Sequence, residues 1–139
     1  MPTLIYKIAT REAWDEARAL TRYEGSADDA RDGFIHLSTA PQLGATLAKH
    51  FAGQEGLVLL AVDADALGDS LKWEPSRGGE LFPHLYGPLT LDAVTGMADL
   101  PLDAKGRHDA ARALQRLDEA GKAGQSPEAA PKTPQGLAP

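Results

Sequence analysis

The chain has 139 residues, with 14 Lys and Arg against 20 Asp and Glu for a formal net charge of −6, and it contains no cysteine. That length suits one folded unit with its own core, the missing thiols exclude disulfides, thiolate zinc sites and cysteine nucleophiles, and the negative balance argues against binding nucleic acid through a broad basic surface. The N-terminal residues lack the features of a secretory signal and no apolar run approaches the roughly 20 residues of a spanning helix, so a soluble cytoplasmic protein without membrane contact is expected.

Taken in order, residues 3–9 are β-branched and aromatic and suit a strand, after which Thr10 caps a helix over 11–20 with Glu12 in its first turn. Within residues 24–32, Ser26 and the Asp pair cap a short helical turn that Gly33 ends. A strand over 34–38 follows, then a helix begun by Ser38 or Thr39, with Pro41 in its first turn, an apolar stripe of Leu43, Leu47 and Phe51, and Gly53 at the position after its end. Residues 56–62 form a continuous apolar run, the expected central strand with both faces covered. Asp63 caps one turn ending at Gly68; 71–74 reads as an edge strand, 75–80 as a loop, 85–86 and 93–100 as strands, and 107–120 as a weakly amphipathic helix. The reading is α+β, with one domain over residues 1–121. Residues 122–139 hold four of the ten prolines and no aromatic side chain, which predicts a disordered tail.

Two strings stand out, Asp32-Gly-Phe-Ile-His-Leu-Ser-Thr39 and Phe82-Pro-His-Leu-Tyr-Gly-Pro88. Side chains alternate along a strand, so Phe34, His36 and Ser38 share one face, and His84 points with Tyr86. Histidine titrates near neutrality and serves as acid, base, hydrogen-bond partner or ligand, although a core histidine satisfied by a carbonyl is the plainer role. Near Trp73 and Glu74, the pair Gly78-Gly79 and Arg77 have the makings of an anion site; a plain loop is the commoner use of such a pair, and Trp73 is expected to pack on the core. A metal site from His36, His84 and Glu74 has no recognised spacing, so no metal is assigned. His50 and His108 read as surface residues. Dinucleotide-binding and Walker glycine loops, zinc-protease helices and nucleophile elbows are all missing.

The first string, Leu57-Val-Leu-Leu-Ala-Val-Asp63, Trp73-Glu-Pro75 and the second string with its following Asp92-Ala-Val94 together resemble the bacterial family called domain of unknown function 952, over about residues 3–105. That family is grouped at fold level with the ADP-ribosyltransferase superfamily, beside the RNA 2′-phosphotransferases. The resemblance implies a split, mostly antiparallel sheet with flanking helices and an NAD cleft between its halves. It places a first ribose-contacting position near Lys7, where relatives often carry histidine or arginine, and a second at His36, with Ser38 and Thr39 opening the helix behind the pocket. For the third position, a glutamate in many transferases, His84, Tyr86 and Glu74 compete.

The expected function is a His/Tyr-lined cleft for a nucleotide-like or phosphorylated small molecule, with NAD as the implied cofactor. The activity implied is ADP-ribosyltransferase-like or phosphotransferase-like; in an NAD-dependent transferase His36 and Tyr86 would position the nicotinamide ribose, Arg77 would hold a phosphate, and Glu74 or another nearby group would stabilise an oxocarbenium-like transition state. The alternatives are a non-enzymatic binding module using the same cleft and a structural domain with satisfied core histidines.

Overall fold

The computed structural model describes residues 3–124, apart from the side chains of Arg77 and residues 120–124. Eight strands and four α-helices follow in the order β1 Leu4–Thr10, α1 Arg11–Leu20, β2 Arg22–Tyr23, α2 Ala27–Asp32, β3 Ile35–His36, α3 Leu43–His50, β4 Leu57–Asp63, β5 Leu71–Pro75, β6 Leu81–Leu85, β7 Leu89–Thr90, β8 Val94–Leu100 and α4 Ala110–Gly124. The expected tail begins inside the last turn of α4, and residues 125–139 lie outside the described part.

Two three-stranded sheets, ordered β1-β4-β8 and β3-β6-β5, and a small β2-β7 pair make up the strand layer, with every pairing antiparallel. The apolar run of β4 is central in its sheet and buried along Leu57–Val62, as its lack of alternation requires. Val58, Leu60 and Val62 pack on one side with Ile5, Ala9, Trp14 and Tyr23. Leu57, Leu59 and Ala61 pack on the other with Leu43, Leu47, Ala113 and Leu117. Among the described residues one backbone bridge, Tyr6 to Ser38, links the two larger sheets, each amide donating to the other's carbonyl at 2.8 and 2.9 Å. This is a split antiparallel sheet with helices on its faces.

The caps explain why the helices start where they do. Thr10 accepts from the Ala13 amide at 3.0 Å, and Ser26 accepts from the Asp29 amide at 3.2 Å while Asp29 returns the bond to the Ser26 amide at 2.9 Å. Gly33 ends α2 in the left-handed region. Thr39 opens a single tight turn, Ala40–Gln42, holding Pro41, and α3 continues from it; the helix ends before Phe51, two residues ahead of Gly53.

Several expectations shift. The strand expected over 34–38 is shortened to Ile35–His36, with one further bond to β6 from the Leu37 amide, because Ser38 has already crossed to β1 at the split. The strand expected over 85–86 is instead β6, Leu81–Leu85, the middle of its sheet although it contains Pro83. Pro83 donates nothing, yet its carbonyl accepts from the Leu37 amide at 3.1 Å. Helix α4 starts at Ala110 and ends at Gly124 rather than spanning 107–120. Trp73 does not join the core: β5 is an edge strand, and the indole is 43% exposed.

Candidate functional site

Register fixes the site. Across the β3-β6-β5 sheet, Ile35, Leu85 and Leu71 lie in one row and face the core, while the next row is His36, His84 and Lys72. The two histidines, on neighbouring strands, have ring centroids 5.8 Å apart. Phe34 leans on both, at 4.6 Å from the His36 ring and stacked at 4.0 Å on His84. Both rings line one cavity of about 290 Å³ at the split, walled by Tyr6 and Lys7 of β1, by α2, by Thr46 and His50 of α3, and by Phe82 of β6.

Asp29, which sequence reasoning saw only as part of a cap, organises this cavity. Its carboxylate accepts from the Lys7 ammonium at 2.8 Å, the Ser26 amide at 2.9 Å, the His36 amide at 3.1 Å and His36 Nδ1 at 2.6 Å. Burial pushes the Asp29 carboxyl up, but the His36 bond and then Lys7 outweigh it and hold the group well below the usual carboxylate range. Burial pulls the Lys7 ammonium down, with Asp29 acting against it. Lys7 sits mid-strand rather than at the strand's end, and also donates to the His36 carbonyl at 3.0 Å. The signal for such a partner was the lysine itself: a cation inside Leu4-Ile5-Tyr6-Lys7-Ile8-Ala9 must be buried, and a buried cation needs an acid.

On its other side His36 Nε2 meets Asp32 at 2.9 Å, so both ring nitrogens face carboxylate oxygens. Asp32 in turn is held down by Arg31, which reaches both Asp32 and Asp28. The fixed charges of the cavity wall are therefore Lys7 and Arg31 against Asp28, Asp29 and Asp32, and both cations are already paired.

Glu74 and Tyr86 stand behind His84, outside the cavity wall. One Glu74 oxygen receives His84 Nδ1 at 2.8 Å and the Tyr86 hydroxyl at 2.7 Å. The Tyr86 bond, with that of His84, lowers the Glu74 carboxyl, and Glu74 raises the Tyr86 phenol. Of the residues singled out in the sequence, Lys7, His36, Ser38 and His84 line the cavity together, whereas Glu74 and Tyr86 contact it only through His84. Arg77 belongs to a tight turn, Arg77–Gly79, next to the lining residue Ser76, and its side chain is outside the described part. His50 is exposed at the cavity and His108 bonds the Gln54 carbonyl at 2.7 Å. Among the described residues no group of three or more His, Asp or Glu is placed to hold a metal ion: both His36 ring nitrogens face Asp29 and Asp32, and Glu74 lies behind His84, outside the cavity wall.

Comparison with known proteins agrees with the fold. The X-ray structure of protein CC0527 from Caulobacter crescentus is 56% identical, covers 84% of this chain and 99% of its own, and superposes with a TM-score of 0.77. The solution NMR structure of the same protein is 61% identical over 76% of this chain and 90% of its own, at 0.69. DarT from Thermus sp. 2.9, solved in complex with NAD+, shares 9% identity over 96% of this chain and 94% of its own, at a TM-score of 0.50, a likeness of fold alone. None of the curated proteins matches the chain. The family model described as Protein of unknown function (DUF952) matches residues 8–97, and the chain belongs to that family.

Proposed function

We propose that the cavity at the split binds a nucleotide-like small molecule, with NAD as the leading candidate. The observation that carries this reading is the convergence of His36 and His84, 5.8 Å apart and from separate strands, on one cavity. Its volume of about 290 Å³ is at the lower end for small-molecule sites, which suits a nucleoside-sized part of a ligand more than a whole dinucleotide. Both cations of the described wall are paired with carboxylates, so a phosphate belongs outside the cavity, towards Ser76 and the turn that carries Arg77. The fold likeness to DarT, whose structure contains NAD+, supports the choice of ligand.

Binding is favoured over transfer chemistry, because the Lys7 ammonium is already paired with Asp29, and Glu74 is held by His84 and Tyr86 outside the cavity wall. Titrating the labelled full chain with NAD and with nicotinamide mononucleotide, followed by NMR, tests the reading. Saturable shifts are expected at His36, Ser38, Thr46 and His84; their absence at millimolar ligand overturns it. Nicotinamide release that disappears in His36→Ala would make the protein an enzyme, whereas binding without release leaves a recognition module.

A further inference from the structure

His84 is 5% exposed, yet its Nε2 makes no hydrogen bond among the described residues. The rest of the ring is fixed. Phe34 stacks on one face at an interplanar angle of 27°, and Nδ1 is bound by Glu74, which lies outside the cavity wall. The Nδ1 edge therefore points away from the cavity, and the edge that lines it is the one bearing Nε2.

The partner on Nδ1 decides what Nε2 offers. An ionised carboxylate only accepts, and the same Glu74 oxygen already receives the Tyr86 hydroxyl, so Nδ1 must carry the proton. A neutral imidazole has one N–H, which leaves Nε2 as a bare acceptor. The side chains beside this arrangement that could donate are Lys72, opposite His84 in register, and His36, whose ring nitrogens are both taken by Asp29 and Asp32. Neither supplies a donor to Nε2.

From this geometry we propose that His84 Nε2 accepts a hydrogen bond from a hydroxyl of the bound ligand, with Glu74 and Tyr86 as positioning residues that fix the ring without touching the ligand. The group recognised at this point is thus a donor, as a ribose-type hydroxyl is, and not an ionised phosphate or carboxylate oxygen, which would bring a second acceptor against the first. The assignment rests on the reading of the cavity as a nucleotide-like site and sharpens it, because it names the part of the ligand that enters.

Long-range proton–nitrogen NMR of the imidazole rings in the ligand-free full chain tests the first half. At a pH where the His84 ring is neutral, a protonated Nδ1 and a bare Nε2 are expected; an Nε2–H ring overturns the inference and leaves the cavity reading standing. In Glu74→Gln, whose amide donates as well as accepts, the ring should move towards the Nε2–H form. An unchanged tautomer in a variant that keeps its native amide spectrum removes the positioning role. Tyr86→Phe, which keeps the carboxylate, should retain the wild-type tautomer, and its loss of that tautomer would show that Glu74 does not hold the ring. For the second half the probes are nicotinamide mononucleotide and inorganic phosphate. A shift of Nε2 with the first and not the second is expected. A shift with phosphate alone overturns the hydroxyl assignment, as does an unshifted Nε2 with both probes; the proposed function falls with it only if the signals of His36, Ser38 and Thr46 are unshifted too.

Discussion

Asp29 receives its bonds from three different segments, which ties β1, the start of α2 and β3 to one carboxylate. Replacing it with asparagine leaves the Lys7 ammonium buried without a counter-charge, and removal of one partner of a buried pair costs about 3–5 kcal/mol. Urea unfolding of Asp29→Asn is expected to show a loss of that size, and Lys7→Met combined with Asp29→Asn should cost less than Asp29→Asn alone, since no cation is then stranded. A double variant as unstable as the sum of the singles would contradict this account. The carboxyl is also a pH sensor for folding. Because its folded value lies below the unfolded one of about 3.9, its contribution is present above that pH and is lost as pH falls through the folded value. Midpoints measured from pH 6 down to pH 2 should therefore stay level and then fall below about pH 4. The fall should be shallower in Asp29→Asn, and a parallel fall in both proteins would assign acid sensitivity elsewhere.

At the scale of elements, α2 carries the site because its ends are fixed by glycines with different duties. A Cβ at Gly25 would lie 2.8 Å from the Asp29 Cβ, whereas at Gly33 it would meet nothing within 4 Å, and both residues have positive φ. Gly33→Ala should cost about 1–2 kcal/mol, the strain of a left-handed alanine. Gly25→Ala should cost more and should also move the His36 ring resonances, because it displaces the carboxylate that holds them; equal costs with unmoved resonances would refute the distinction. Where local chemistry decides the outcome, the elements were legible: Thr10 and Ser26 mark their helices, and the unbroken apolar run of β4 marks the centre of a sheet. Helix α4, with no such marker at either end, was displaced by three or four residues. Strand β6 was hidden by Pro83, which the rule for sheets sends to an edge and which here keeps a central place through its carbonyl. Alternation singled out the faces of His36 and His84, but not that the two faces line one cavity. Asp29 was not legible as part of the site, because a capping residue in sequence gives no sign that a lysine 22 positions earlier will be folded onto it.

For the molecule as a whole, stability is unequal by construction. β4 has a neighbour on each side and is buried along most of its length, while β5 is paired on one side only. Native-state hydrogen exchange should find the β4 amides opening only with global unfolding, and the unpaired amides of β5 exchanging much faster through local opening. Equal protection in both strands would mean that the two sheets do not differ in this way.

The bridge between Tyr6 and Ser38 joins the two halves of the sheet at the cleft through main-chain atoms, beside the side-chain ties of Lys7 and Asp29. The two hydrogen bonds of this bridge do not depend on which side chains stand at those positions, so Tyr6 and Ser38 can shape the wall they line while their backbones close the same link. An imino acid at either place would erase one of the two amides that close the link and loosen the halves of the sheet at that point.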